Sequence, residues 1–137
     1  MWRPMLREDI PSVVFVSGGV WGANYYESKE IFLNKLKYFP AGCKMYGDSG
    51  YVFSHPWTLH SPPNLDEPLI LTYHIHDIAL LPSVRNKGLC TEVVEEILMN
   101  HPIVTLVAAN NTESFWKRFG FVEQSLVSYG TYMKRCM

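Results

Sequence analysis

Residues 74–90, His-Ile-His-Asp-Ile-Ala-Leu-Leu-Pro-Ser-Val-Arg-Asn-Lys-Gly-Leu-Cys, limit what this chain can become more than any other stretch. An apolar run carrying two alternating histidines, His74 and His76, reads as a strand. After a short turn, Arg85-x-x-Gly88-x-Cys90 opens a helix. A helix start leaves N–H groups unpaired and carries partial positive charge, so this layout can hold a phosphorylated ligand. Gly88 permits close backbone approach, Cys90 is small, and Arg85 and Lys87 add positive charge. Two proton acceptors lie a few residues upstream. The combination points to an enzyme that takes a proton from a substrate and uses an anionic cofactor. Neither the Gly-x-x-x-x-Gly-Lys-Ser/Thr phosphate loop nor the three-glycine dinucleotide fingerprint occurs in the chain.

The flanking sequence supplies the elements around this unit. Trp2 to Leu6 is expected as a first strand, and Asp9 as the N-cap of a helix that Gly18-Gly19 frays or ends. A second helix is expected from Ser28 to about Phe39, with Phe32, Leu33, Leu36 and Phe39 inward and Lys29, Lys35 and Lys37 solvated. Cys43–Tyr46 and Tyr51–Ser54 form a hairpin around Gly47-Asp-Ser-Gly50. Residues 55–68 carry four prolines and read as a loop, followed by a long strand over 69–81 and a helix over 88–99. Ile103 to Ala109 is a buried strand, and Thr112 caps a short helix through Phe119, with Gly120 left-handed after it. A last hairpin turns at Gly130. The order predicts a mixed α/β fold in one domain, residues 1–137.

Composition removes several classes. With 137 residues, 47% hydrophobic and 18% charged, the chain can bury a real core. A net charge of −1 offers no field for nucleic acid or a membrane surface. No apolar run is long enough to span a bilayer, and the charged start lacks a signal peptide's apolar region. Cysteines at 43, 90 and 136 form neither a disulfide framework nor a metal spacing, so a cytoplasmic protein with reduced thiols and no metal is expected.

IHDIALLPSVRNKGLCTEVVEEIL resembles the central signature of the GCN5-related N-acetyltransferase (GNAT) family, whose helix opens with Arg/Gln-x-x-Gly-x-Gly/Ala. LVAANNTESFWKRFGF is similar to the segment that follows in that family, and the element order is the family's over nearly the whole chain. The resemblance implies a mixed, mostly antiparallel central sheet flanked by about four helices, with splayed strands holding acetyl-CoA. It implies a diphosphate on the backbone from Asn86 to Thr91, through Lys87, Gly88, Leu89 and Cys90, with Arg85 and Lys87 nearby. The pantetheine arm would pair with Ile78, Ala79 and Leu80, and Asn110 or Asn111 would meet it from the other side, with Trp116 beside the cofactor. Cys90 departs from the family's Gly or Ala.

Acetyl transfer needs a neutral amine, and unmasking an alkylamine at pH 7 costs about 4–5 kcal/mol. His74 and His76, two apart, share one face of a strand, whereas Asp77 points the other way unless a bulge intervenes. The His-x-His pattern is similar to that of arylalkylamine N-acetyltransferases, which implies His74 and His76 as a base or water relay. The family's thiolate-protonating tyrosine is replaced by Trp116, which has no useful acidity. Tyr129 or Tyr132 would substitute, or the thiolate leaves unassisted. Tyr25, Tyr26 and Glu27 fall where the family builds its acceptor pocket and suit an amine, a small molecule rather than a protein tail. Trp21 is more readily a core residue. A CoA-binding sensor or interaction module that has lost chemistry is the alternative, and a structural α/β domain without cofactor a third.

Overall fold

A computed structural model describes residues 1–22, 27–58, 71–109, 111–128 and 130–136. Among the described residues the architecture is α/β, with a mixed, mostly antiparallel seven-stranded sheet and four α-helices. In chain order these are β1 (Trp2–Pro4), α1 (Ile10–Trp21), α2 (Lys29–Tyr38), β2 (Cys43–Tyr46), β3 (Gly50–Thr58), β4 (Leu71–Leu80), α3 (Leu89–Asn100), β5 (Ile103–Ala108), α4 (Glu113–Lys117), β6 (Val122–Val127) and β7 (Gly130–Cys136). Strands hydrogen-bond in the order β1-β2-β3-β4-β5-β7-β6. β4 pairs parallel with β5, the connection a helix such as α3 makes possible, whereas β1–β2, β2–β3, β5–β7 and β6–β7 pair antiparallel. No helix among the described residues is long and apolar enough to cross a membrane.

The chain forms two compact units, Met1–His55 with Asp77–Glu95, and Pro56–His76 with Glu96–Met137. The first has a core of Val13, Val16, Phe32, Met45, Tyr51 and Phe53, all at most 1% exposed. Phe32 stacks on Phe53 at 5.6 Å and meets Tyr51 edge-on at 6.1 Å, so α2 is seated by aromatic contacts as well as by area. In the second unit Val104, Leu106 and Met133 are buried on β5 and β7, and Trp116 and Phe121 pack edge-on at 5.6 Å.

Several local expectations need correction. Gly18-Gly19 does not end α1, which runs on to Trp21. A Cβ at Gly19 would stand 3.1 Å from Leu81 Cδ2, so a packing requirement accounts for that glycine. Asp9 precedes α1 without capping it. Its carboxylate accepts from Leu6 N at 2.7 Å and binds Arg3 through two hydrogen bonds, across a short 3-10 turn. Lys35 is not solvated but half-buried, paired with Glu27 and lying 5.3 Å from the Phe32 ring centroid. His55, Pro56, Trp57 and Thr58 continue β3 and are not loop, because a proline is tolerated where the ladder needs no donor. Residues 59–70 lie outside the described ones.

Candidate active site

β4 delivers the chain into the turn that opens α3. A 3-10 turn over Pro82–Val84 is followed by Asn86 at φ 63° and Gly88 at φ 74°, two left-handed residues in three positions. Nothing lies within 4 Å of a Cβ built at Gly88, so its backbone conformation, not close packing, calls for glycine. α3 starts at Leu89, its first bond running from Glu92 N to Gly88 O at 3.0 Å, and residues 85–88 are exposed. The first-turn amides thus lie at the N-terminus of a twelve-residue helix. Arg85 Nε donates to Leu80 O at 2.9 Å, which braces the turn and engages one carbonyl of the Ile78–Leu80 segment. Trp2 Nε1 donates to Leu89 O at 2.9 Å and ties β1 to the same spot, a contact no local pattern signals. Burial pushes the Cys90 thiol up to about 11, so it stays neutral and puts no thiolate beside an anion. These residues fit a diphosphate ligand.

Farther up β4, His74 and His76 have ring centroids 6.1 Å apart, as two residues on one strand face should. His74 is half-buried and His76 exposed. His74 Nδ1 is 2.8 Å from Thr105 Oγ1, either partner able to donate according to the imidazole tautomer. The register pairs His74 with Thr105, a fully buried threonine of β5, which fixes the ring's orientation. Trp57 lies 5.9 Å from His74, centroid to centroid.

Asp77, next along β4, enters a polar cluster within the first unit. Tyr51 on β3 donates to Asp77 Oδ2 at 2.8 Å. The Trp21 side chain also hydrogen-bonds Asp77, and Ser17 and Trp21 of α1 hydrogen-bond the Tyr51 phenol. Burial pushes the Asp77 carboxyl up to about 6, against the opposing pulls of Tyr51, Lys35 and Trp21, while Glu27 adds to the rise. Burial also drives the Tyr51 phenol far above its ordinary range, with Asp77 adding to it, so Tyr51 stays a donor. Asp77 itself is half-buried and keeps some solvent contact. A carboxylate within the Ile75–Ala79 run was the one available signal, whereas Tyr51 looks like any strand aromatic.

No family model and no curated protein matches the sequence. Solved structures do match in shape. Ard1 from Thermoplasma volcanium is 17% identical with a TM-score of 0.79, covering 100% of this chain and 97% of that one. Naa20 from Chaetomium thermophilum, in complex with a bisubstrate analogue, is 14% identical with a TM-score of 0.76, covering 100% and 86%. The GNAT-like decarboxylase GphF, in complex with isobutyryl-CoA, is 13% identical with a TM-score of 0.75, covering 99% and 98%. The chain has the GNAT fold. At such identities the likeness extends to the fold and no further.

In this GNAT fold the remaining residues named from sequence take varied positions. Ile78 is half-buried, and Ala79 and Leu80 are buried at the end of β4. Trp116 is 7% exposed in an aromatic cluster with Phe115, Phe119 and Phe121. Tyr132 is half-buried on β7, paired in register with Val107 of β5. Asn111 is exposed with φ 69°, another left-handed non-glycine. Glu27, expected to attract an amine, forms an ion pair with Lys35 at 2.5 Å. Tyr25, Tyr26, Asn110 and Tyr129 lie outside the described residues.

Proposed function

We propose that residues 1–137 form one N-acetyltransferase domain that transfers an acetyl group from acetyl-CoA to a primary amine by direct attack in a ternary complex. The observation that carries the reading is the turn between β4 and α3, where left-handed Asn86 and Gly88 present the start of a twelve-residue helix. The GNAT fold supports it, as do the ligands of two matching structures, a bisubstrate analogue in Naa20 and isobutyryl-CoA in GphF. When bound, acetyl-CoA supplies an activated acyl thioester.

The chain's own residues divide the remaining work. Backbone amides from Asn86 to Thr91, including Gly88, Leu89 and Cys90, hold the diphosphate, and Lys87 adds charge. Arg85 shapes the turn through Leu80 O. Ile78, Ala79 and Leu80 offer backbone to the pantetheine arm, with Asn110 or Asn111 and Trp116 on its other side. His74, oriented by Thr105, and His76 carry the amine proton outward as base or water relay. Tyr132 returns a proton to the departing thiolate, whose pKa near 8.5 lets it leave unassisted as well. Tyr25, Tyr26 and Glu27 belong to the acceptor side.

A thermal-shift titration tests the cofactor reading. CoA at 100 times its Kd should stabilise the fold by about 2.7 kcal/mol, and a structural α/β domain would show no shift. Thiol release with aromatic amines, polyamines and peptides tests the reaction. Burial of Trp116 where the family often has a reactive tyrosine favours a second reading, a CoA-binding module without chemistry. Tight CoA binding with no turnover of any amine class would establish that one instead.

A further inference from the structure

We propose that the Asp77 carboxylate, fixed by Tyr51 and Trp21, is the direct counter-ion and first proton acceptor of the acceptor's ammonium group, and that it makes the site select amines lacking a neighbouring carboxylate. This rests on the acetyltransferase reading and takes the role of first base from His74 and His76.

The charges around Asp77 carry the argument. α1 contributes Ser17 and Trp21 and no charged side chain, and β3 contributes the neutral Tyr51. α2 contributes Lys35, whose charge is met by Glu27 at 2.5 Å. Among the described residues Asp77 therefore holds the unbalanced negative charge of this cluster, and a monocation is its complement. Tyr51 is 0% exposed whereas Asp77 is half-buried, so the phenol anchors the carboxylate from inside while the residue keeps some solvent contact. A purely structural role explains this poorly. The Tyr51 hydroxyl needs one acceptor, which a neutral side chain could supply, and an ionised group here opposes folding at neutral pH. A carboxyl raised to about 6 is also roughly a hundredfold better proton acceptor than an ordinary aspartate.

In the step itself Asp77 takes one proton from the ammonium and becomes a neutral acid. The freed nitrogen lone pair forms the N–C bond to the acetyl carbon as the C–S bond breaks. The C–S electron pair leaves on sulfur, which takes up one proton, and the new amide nitrogen sheds its second. An α-carboxylate beside the nitrogen would face Asp77 with like charge, so amino acids are rejected where the matching amines are accepted.

Calorimetry on the CoA-loaded protein with phenethylamine, phenylalaninamide and phenylalanine tests this directly. The two amines without a carboxylate should bind, and phenylalanine at least tenfold more weakly. Asp77→Asn should weaken both amines at least tenfold, erase the discrimination, leave CoA affinity within twofold and slow thiol release 10²–10⁴-fold, to order of magnitude. The acid limb of kcat/KM, near pH 6, should persist in His74→Gln/His76→Gln, vanish in Asp77→Asn and move upward in Tyr51→Phe, which keeps the carboxylate but removes a donor. Should Asp77→Asn fail to fold, the Tyr51→Phe shift carries the decision. Equal binding of phenylalanine, or an acid limb that follows the histidines, overturns the Asp77 assignment alone, whereas CoA binding with no amine bound or turned over favours the CoA-binding module. Absence of CoA binding overturns the acetyltransferase reading beneath it.

Discussion

Asp9 and Asp77 are the same residue type in the same compact unit, yet the fold pushes their carboxyls in opposite directions. Asp9 accepts from both terminal nitrogens of Arg3, at 2.8 and 2.7 Å, and from the Leu6 amide, and these donors hold it below the usual aspartate range. Asp77 is held by a phenol and an indole, and burial outweighs them. The difference is the charge of the donor. A guanidinium offsets the cost of desolvating a carboxylate, whereas neutral donors orient it without cancelling its charge. The first arrangement secures the corner between β1 and α1. The second raises the carboxyl's proton affinity, the property that the proposed base at Asp77 requires.

The largest expected contrast is in rate. Asp77→Asn should cost about 3–5 kcal/mol of transition-state stabilisation, while Asp9→Asn, assayed well below its Tm, should change turnover less than about threefold. Comparable losses at both positions would dissolve the distinction. Stability should then rank the two in reverse. Asp9→Ala removes three hydrogen bonds at an acid with an 11% exposed side chain, and urea unfolding should show a loss of about 2–3 kcal/mol.

The pH dependences sharpen the contrast further. Asp9, with its lowered pKa, stabilises the fold above its unfolded value near 3.9 and loses that contribution as pH falls through the folded value. Asp77, with its raised pKa, contributes fully below about pH 4 and loses its contribution as pH rises through about 6. Chemical denaturation between pH 4 and 7.5 should therefore show Asp77→Asn gaining on wild type by about 1–2 kcal/mol, allowing for the solvent contact Asp77 retains. A flat difference would mean that Asp77 titrates as an ordinary acid. The smallest effect is expected from Lys35→Met. Removing that positive charge should raise the Asp77 carboxyl by less than about one pH unit, read from its carboxyl carbon in an NMR titration.

Local pattern was enough wherever the cause was local. The 74–90 stretch, the hairpin at Gly47–Gly50, Ser28 accepting from Ile31 N at the start of α2, and left-handed Gly120 at φ 91° all follow from residues within a few positions. The errors share another cause. Gly19 answers to Leu81, Asp9 to Arg3, Lys35 to Glu27 and the rings of Phe32 and Phe53, and Pro56 to the needs of a ladder. Each partner or ladder lies outside the local motif.

By itself the sequence determined the α/β order, a helix opening at Gly88 to within one residue and the shared face of His74 and His76, because periodicity, capping and φ preferences act over one or two turns of chain. Tertiary structure alone decided that Tyr51 reaches Asp77, that Lys35 cancels Glu27 and that Trp116 is buried. A proton affinity is set by burial and by charges distant in sequence, and neither exists until strands and helices pack.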